Sequence, residues 1–98
     1  MTEIKNHYNV TFLKRFGIGA IVFGSHIFYS MPEHEVTERL RVHEETHVAQ
    51  YAQDGIVKFL LKYSIEYLTL RLRGKSHLDA YYNVSYELAA RQAESEVH

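Results

Sequence analysis

Residues 32–55 read PEHEVTERLRVHEETHVAQYAQDG. Val36, Leu40, His43, His47 and Tyr51 recur within them at spacings of four, three, four and four, which is one face of a helix. Ser30 offers an N-cap, Pro32 suits a first turn, and Glu33 and Glu35 complement the positive end of the macrodipole. Asp54-Gly55 ends the pattern, Gly being suited to the left-handed C-terminal conformation. The spacing predicts a helix from about residue 32 to Gln53, with both imidazoles on its apolar stripe, facing the interior or a cleft.

Upstream, IGAIVFGSHIFYS (18–30) holds two β-branched and aromatic runs separated by Gly24-Ser25, a pair suited to a two-residue type II′ turn. Two short antiparallel strands are expected; a single strand bulged at Gly24 would use the same letters. Downstream, IVKFLLKYSIEYLTLRL (56–72) is apolar over most of its circumference, with Lys58, Lys62 and Glu66 as one narrow polar line. That pattern predicts a mostly buried core helix, its charges arguing against a membrane span. Its apolar surface leaves shallow membrane association open. Arg73-Gly74-Lys75-Ser76 reads as a loop, and HLDAYYNV leads to a last helix near 85–96 capped by Ser85. The fold class is therefore α+β: a short β-hairpin followed by three helices, in one domain over 1–98.

Apolar residues make up 46% of the 98 residues, enough for a globular core. A formal net charge of −1 provides no positive field for phosphate-rich partners, so nucleic acid is not expected. There is no Cys, hence no disulfide and no thiolate ligand. Any metal must be held by imidazole and carboxylate. The first 16 residues lack the apolar core of a signal peptide, which points to a cytoplasmic protein.

On a helix, residues four apart project side by side, so His43 and His47 can meet one ion while Glu44 sits beside the first of them. Two neutral imidazoles and a third protein ligand make an open zinc site, and a carboxylate at Glu44 can take a proton from the attacking water. That is the chemistry of peptide hydrolysis.

The third ligand lies downstream. Metzincins continue the motif as HExxHxxGxxH, but Gln50 and Gln53 occupy those positions; peptide deformylases use a Cys. In gluzincins the ligand is a Glu on a later helix in an ExxA or ExxD setting, which Glu87-Leu88-Ala89-Ala90 matches, small Ala89 and Ala90 allowing close helix approach. The alternative is Asp79: Asp79-Ala80-Tyr81-Tyr82 reproduces the DxxY of aspzincins, although Ser76, His77 and Asn83 depart from the flanking residues of that motif.

Taken together, HEETHVAQY, IEYLTLRLRG and AYYNVSYELAA resemble small gluzincin-like HExxH zinc peptidases of bacteria and their phages, over roughly residues 18–95. The resemblance implies His43, His47 and Glu87 as zinc ligands, Glu44 as catalytic base, and the strand pair as a rim above the site. In gluzincins an extended edge strand binds the substrate backbone, a role open to either half of the hairpin, with Ile21 and Phe23 or His26 and Phe28. Tyr82, Tyr86 and His77 are positional candidates for stabilising the oxyanion.

The chain has residues for a minimal zincin-like lobe and a rim, not for the second lobe of larger gluzincins. A partner chain, a homodimer or an accessible peptide substrate would supply the missing wall. Besides a zinc-dependent peptidase, two other functions are expected to leave the same sequence signs. One is a catalytically silent zinc domain that binds peptides or an assembly; the other is a metal-free module working through the 56–72 helix.

Overall fold

The structure is a computed structural model that describes residues 3–97. Its elements are strand β1 (Lys5–His7), helix α1 (Thr11–Arg15), strands β2 (Ala20–Phe23) and β3 (His26–Tyr29), and helices α2 (Glu38–Asp54), α3 (Ile56–Leu72), α4 (His77–Asn83) and α5 (Ser85–Ser95). The fold is α+β, with a small sheet packed on α2, helices α3 and α5 against the same helix, and α4 against α3 and α5.

The hairpin forms where Gly24-Ser25 predicts it. Gly24 takes φ +61, Ser25 has no positive φ, and β2 pairs antiparallel with β3 from Ala20↔Tyr29 to Phe23↔His26. A positive φ at the first turn residue only fits type II′ and rules out the bulged single strand. The hairpin is extended by β1, which pairs parallel with β3. The sheet order is thus β1-β3-β2, with β3 central and β2 an edge. Three polar residues, Lys5-Asn6-His7, carry no alternation that would reveal such a strand in the sequence. One face of the sheet, Ile27 and Tyr29 with Ala20 and Val22 beside them, packs on Val48 and Leu40 of α2.

The central helix starts later than its acidic approach suggests. Ser30 is buried and closes β3, its amide donating to Gly19 O; Pro32 is extended, and Glu33–Glu35 make a 3-10 turn. Thr37 is the actual N-cap, its hydroxyl accepting from Leu40 N at 3.1 Å. Glu44, His47, Val48 and Tyr51 form the buried face of α2. Gly55, at φ +83, closes α2 and opens α3 within one residue: its amide donates to Tyr51 O and its carbonyl accepts from Phe59 N. An L side chain at that φ would be strained although no atom lies near its Cβ position.

Helix α3 departs furthest from expectation. Phe59 is its buried residue, stacked between Tyr51 (3.8 Å between centroids) and Tyr86 (4.2 Å). Burying an aromatic ring contributes about 1.5–3 kcal/mol, so this stack fastens α3 to α2 and α5. The polar line turns towards those neighbours: Lys58 reaches Asp54, Lys62 lies over the Tyr86 ring, and Glu66 accepts from Ser85 N (2.7 Å) and Ser85 Oγ (2.9 Å). Glu66 therefore supplies the N-terminal cap of α5 that Ser85 was expected to give. With its polar line spent on neighbours, α3 turns Val57, Leu61, Ile65, Leu68 and Leu72 outward into solvent. Residues 77–83, expected as a lead into the last helix, are helical themselves, with Ser76 as N-cap.

Candidate metal centre

Helices α2 and α5 place three side chains at one point. His43 Nε2 lies 3.0 Å and His47 Nε2 3.2 Å from the same atom, Glu87 Oε1, and the three potential ligand atoms all fall within 4.8 Å of one another. The two imidazoles come from successive turns of α2, the carboxylate from the first turn of α5. Ala90, fully buried one turn after Glu87, leaves room for α5 to lie close; Ala89 points to solvent and takes no part in that approach.

Each group is oriented by its other polar atom. His43 Nδ1 is 2.9 Å from Glu94 Oε1, and His47 Nδ1 is 2.8 Å from Gln50 Oε1. Gln50 in turn donates its Nε2 to Tyr86 O at 3.0 Å, which fixes its amide oxygen towards His47. Oxygen acceptors at both Nδ1 atoms require N–H donors there, so each neutral ring directs an Nε2 lone pair at the carboxylate oxygen. Three acceptors pointed at one another repel unless a cation sits among them or the rings are protonated. The second oxygen, Glu87 Oε2, is taken up by the Tyr63 hydroxyl, which donates at 2.9 Å. The donor set, two imidazoles and one carboxylate with their outer hydrogen bonds made, suits a borderline-soft divalent ion such as zinc.

Protonation follows from the same contacts. The Glu87 hydrogen bond raises the His43 imidazole to about 9, against burial. Burial pulls His47 down, but its hydrogen bond to Glu87 outweighs this and the net shift is upward. Burial pushes Glu87 up, yet the hydrogen bonds from His43 and His47 hold its carboxyl down at about 2. Without metal, these contacts favour protonated imidazoles against an ionised Glu87; a metal ion would take the place of those protons. Glu44, buried beside it, is pushed above the usual carboxylate range by burial, opposed by the two imidazoles.

A cleft of about 1030 Å³ opens over this cluster, lined by His43, Glu44, His47 and Glu87 below, Gly19–Val22 of the sheet edge on one side, and Leu78, Tyr81 and Tyr82 of α4 on another. Ile21 lies along that edge. Phe23 stands outside the lining, beside Tyr51, while His26 and Phe28 sit on the central strand, on the sheet face opposite Tyr29, stacked with His7. Edge position belongs to β2 because β1 occupies the other side of β3, so only the first half of the hairpin has free backbone beside the cleft.

Asp79 is exposed in the first turn of α4 and lies outside the three-ligand group. Tyr82 lines the outer cleft, half-exposed, with Arg91 over its ring at 4.8 Å. His77 also lines the cleft, its Nδ1 held by the Tyr67 hydroxyl at 2.8 Å. Tyr86 is part of the core, its hydroxyl donating to Asp54. The tyrosines that face the cluster are instead Tyr63 and Tyr81, both raised by burial first and by the Glu87 charge second. Gln50 at three residues from His47, and Glu94 at seven from Glu87, share helix faces with the ligands, a spacing from which both partners can be read. Tyr63 belongs to another helix and leaves no local sign. Comparison with protein-family models, curated proteins and solved structures finds no match to this chain.

Proposed function

We propose that this chain is a zinc-dependent peptidase whose β2 edge, α2 and α5 make up a minimal zincin-like lobe of the gluzincin type. The observation that carries this is the convergence of His43 Nε2, His47 Nε2 and Glu87 Oε1 with both Nδ1 atoms already committed to oxygens. Two imidazoles whose Nδ1 atoms are already hydrogen-bonded and whose Nε2 atoms converge on one carboxylate oxygen form an arrangement in which a divalent ion can take the place of the protons. Bound between these three groups, zinc supplies Lewis acidity towards a carbonyl and makes a water acidic near neutral pH.

The chain's own residues then have distinct parts. Glu44, buried at the cleft floor with a raised proton affinity, accepts a proton from the attacking water and delivers it to the leaving amine. Tyr63 keeps Glu87 from rotating by holding Oε2. The β2 edge around Ala20, short of Val22 whose carbonyl is taken by the Tyr51 hydroxyl, aligns an extended peptide by backbone hydrogen bonds, Ile21 contributing an apolar contact. Tyr81, lining the cleft and kept protonated by burial, is better placed than Tyr82 to donate to a developing oxyanion.

The test is a peptide-library cleavage assay with zinc-loaded wild type and Glu44→Gln. The expected result is metal-dependent turnover that falls about 10²–10⁴-fold in the variant while zinc content is unchanged. Tight zinc binding with no turnover by wild type would instead make the chain a silent zinc module.

A further inference from the structure

The outer face of α3 is independent of the metal centre. Exposure reaches 79% at Val57, 59% at Leu61, 56% at Ile65, 57% at Leu68 and 89% at Leu72. At about 100° per residue these five side chains fall within a single stripe, on the side of the helix opposite Phe59. Lys58 and Lys62 border the stripe on one edge and Arg71 on the other, and Arg73 and Lys75 follow in the next turn. Lys58 lies 3.7 Å from Asp54 yet keeps two-thirds of its side chain in solvent, whereas Lys62 is drawn over the Tyr86 ring.

Charge is distributed in the same pattern. Residues 56–75 hold five cations, Lys58, Lys62, Arg71, Arg73 and Lys75, against one carboxylate, Glu66, a surplus of four positive charges. Since the whole chain has a net charge of −1, the other residues carry a surplus of five negative ones. The one carboxylate of the segment is itself occupied with Ser85. An apolar stripe bordered by cations, on a protein otherwise acidic, is complementary to a surface that is apolar inside and anionic at its rim.

We propose that α3 is a membrane-surface helix that docks the protein in-plane on an anionic lipid leaflet. The stripe enters the headgroup–acyl boundary while Lys58, Arg71, Arg73 and Lys75 reach back to lipid phosphates, Lys62 staying on the Tyr86 ring. Spanning is ruled out by length: 17 residues extend about 26 Å, less than the ~30 Å hydrocarbon core, and no described helix is long and apolar enough to cross a membrane. A second copy of this chain would present the same cations to its partner's, which disfavours face-to-face pairing of two such stripes.

Co-sedimentation of the full chain with vesicles tests this, using phosphatidylcholine alone and phosphatidylcholine with about one-third phosphatidylglycerol. Binding at least about tenfold tighter to the anionic vesicles is expected, weakened by 0.5 M salt. The double variant Leu61→Gln/Leu68→Gln should lose that binding about tenfold or more, and Arg73→Glu/Lys75→Glu should lose it on anionic vesicles by a similar factor. Circular dichroism and zinc content, unchanged in both variants, separate lost docking from lost folding. No binding to anionic vesicles, binding equal on both compositions, or a wild-type dimer that Leu61→Gln/Leu68→Gln converts to monomer would each overturn the proposal, the last by showing that this face joins two copies.

Discussion

Helices α2 and α3 have the same length and meet at Gly55, yet they use their residues in opposite ways. On α2, charged and polar side chains turn inward, where Glu44 and His47 are buried and each imidazole nitrogen has a partner. On α3, apolar side chains turn outward and the polar ones serve neighbouring helices. Burying polar groups costs free energy unless they are satisfied, and exposing a row of Leu and Ile forgoes burial. The proposed metal centre and the proposed membrane-docking face would each account for one of these two costs.

The difference is sharpest if the carboxylate that unites the buried cluster is removed. Glu87→Ala leaves two imidazoles facing a void and takes away the proposed third metal ligand, so zinc affinity should fall by more than about 100-fold and any peptidase activity with it. Isothermal titration with zinc measures this; unchanged affinity would mean that Glu87 is only a hydrogen-bond partner. On α3, by comparison, Leu61→Gln should change stability by no more than about 0.5 kcal/mol in urea unfolding, because its side chain is already in water. A loss of 2 kcal/mol or more would mean that the stripe is covered within the chain's own fold.

An intermediate effect is expected from pH. In metal-free protein, Glu87 is held down at about 2 by His43 and His47 in spite of burial. A carboxylate depressed in this way stabilises the fold above its unfolded value near 4.5, and that contribution disappears as pH falls towards 2. His43 is raised to about 9, chiefly by Glu87. A raised imidazole stabilises below its unfolded value near 6.5, and the contribution is lost as pH climbs through about 9. Metal-free Tm should therefore peak between about pH 4.5 and 6.5 and decline on either side. Zinc needs the deprotonated imidazoles, so the Tm gain on adding zinc should grow from pH 6 to 8. A metal-free Tm that keeps rising from pH 6.5 to 9 would contradict the imidazolium–carboxylate cluster.

A smaller effect is expected one bond further out. Glu94→Gln retains an acceptor for His43 Nδ1 but removes its charge, and zinc affinity should drop about 10-fold, towards the lower end of what outer hydrogen bonds to metal ligands contribute. Unchanged affinity would leave Glu94 as a surface contact.

How much of this was legible in the letters divides along the same line. The i,i+4 placement of His43 and His47 is a property of any helix, whereas Glu87 is reached through the gluzincin-like ExxA setting with Asp79 still open. Only the packing of α5 on α2 resolves that choice, in favour of Glu87 lying beside the imidazoles. The hairpin is legible as one of two readings of Gly24-Ser25, and the positive φ at Gly24 with the β2–β3 pairing decides for it over the bulged strand. What lies outside local reach depends on how elements cross. Tyr63 meets Glu87, and Tyr81 rather than Tyr82 faces the cluster, only through the angles of α3 and α4 against α5. Strand β1 is defined by its neighbour β3 rather than by its own residues. Helix α3 is expected to be buried because it is apolar nearly all round; among the described residues, α2, α4 and α5 pack on it and its outer side is left open.

The three convergent atoms of α2 and α5 are proposed as a metal site. Elemental mass spectrometry of tag-free protein, incubated with zinc and exhaustively dialysed, tests it most directly. About one zinc per chain in wild type, and none in His47→Ala, is the predicted result. Wild-type protein that retains no zinc would rule out the metal site and leave His43, His47 and Glu87 as a buried ion cluster with a structural role.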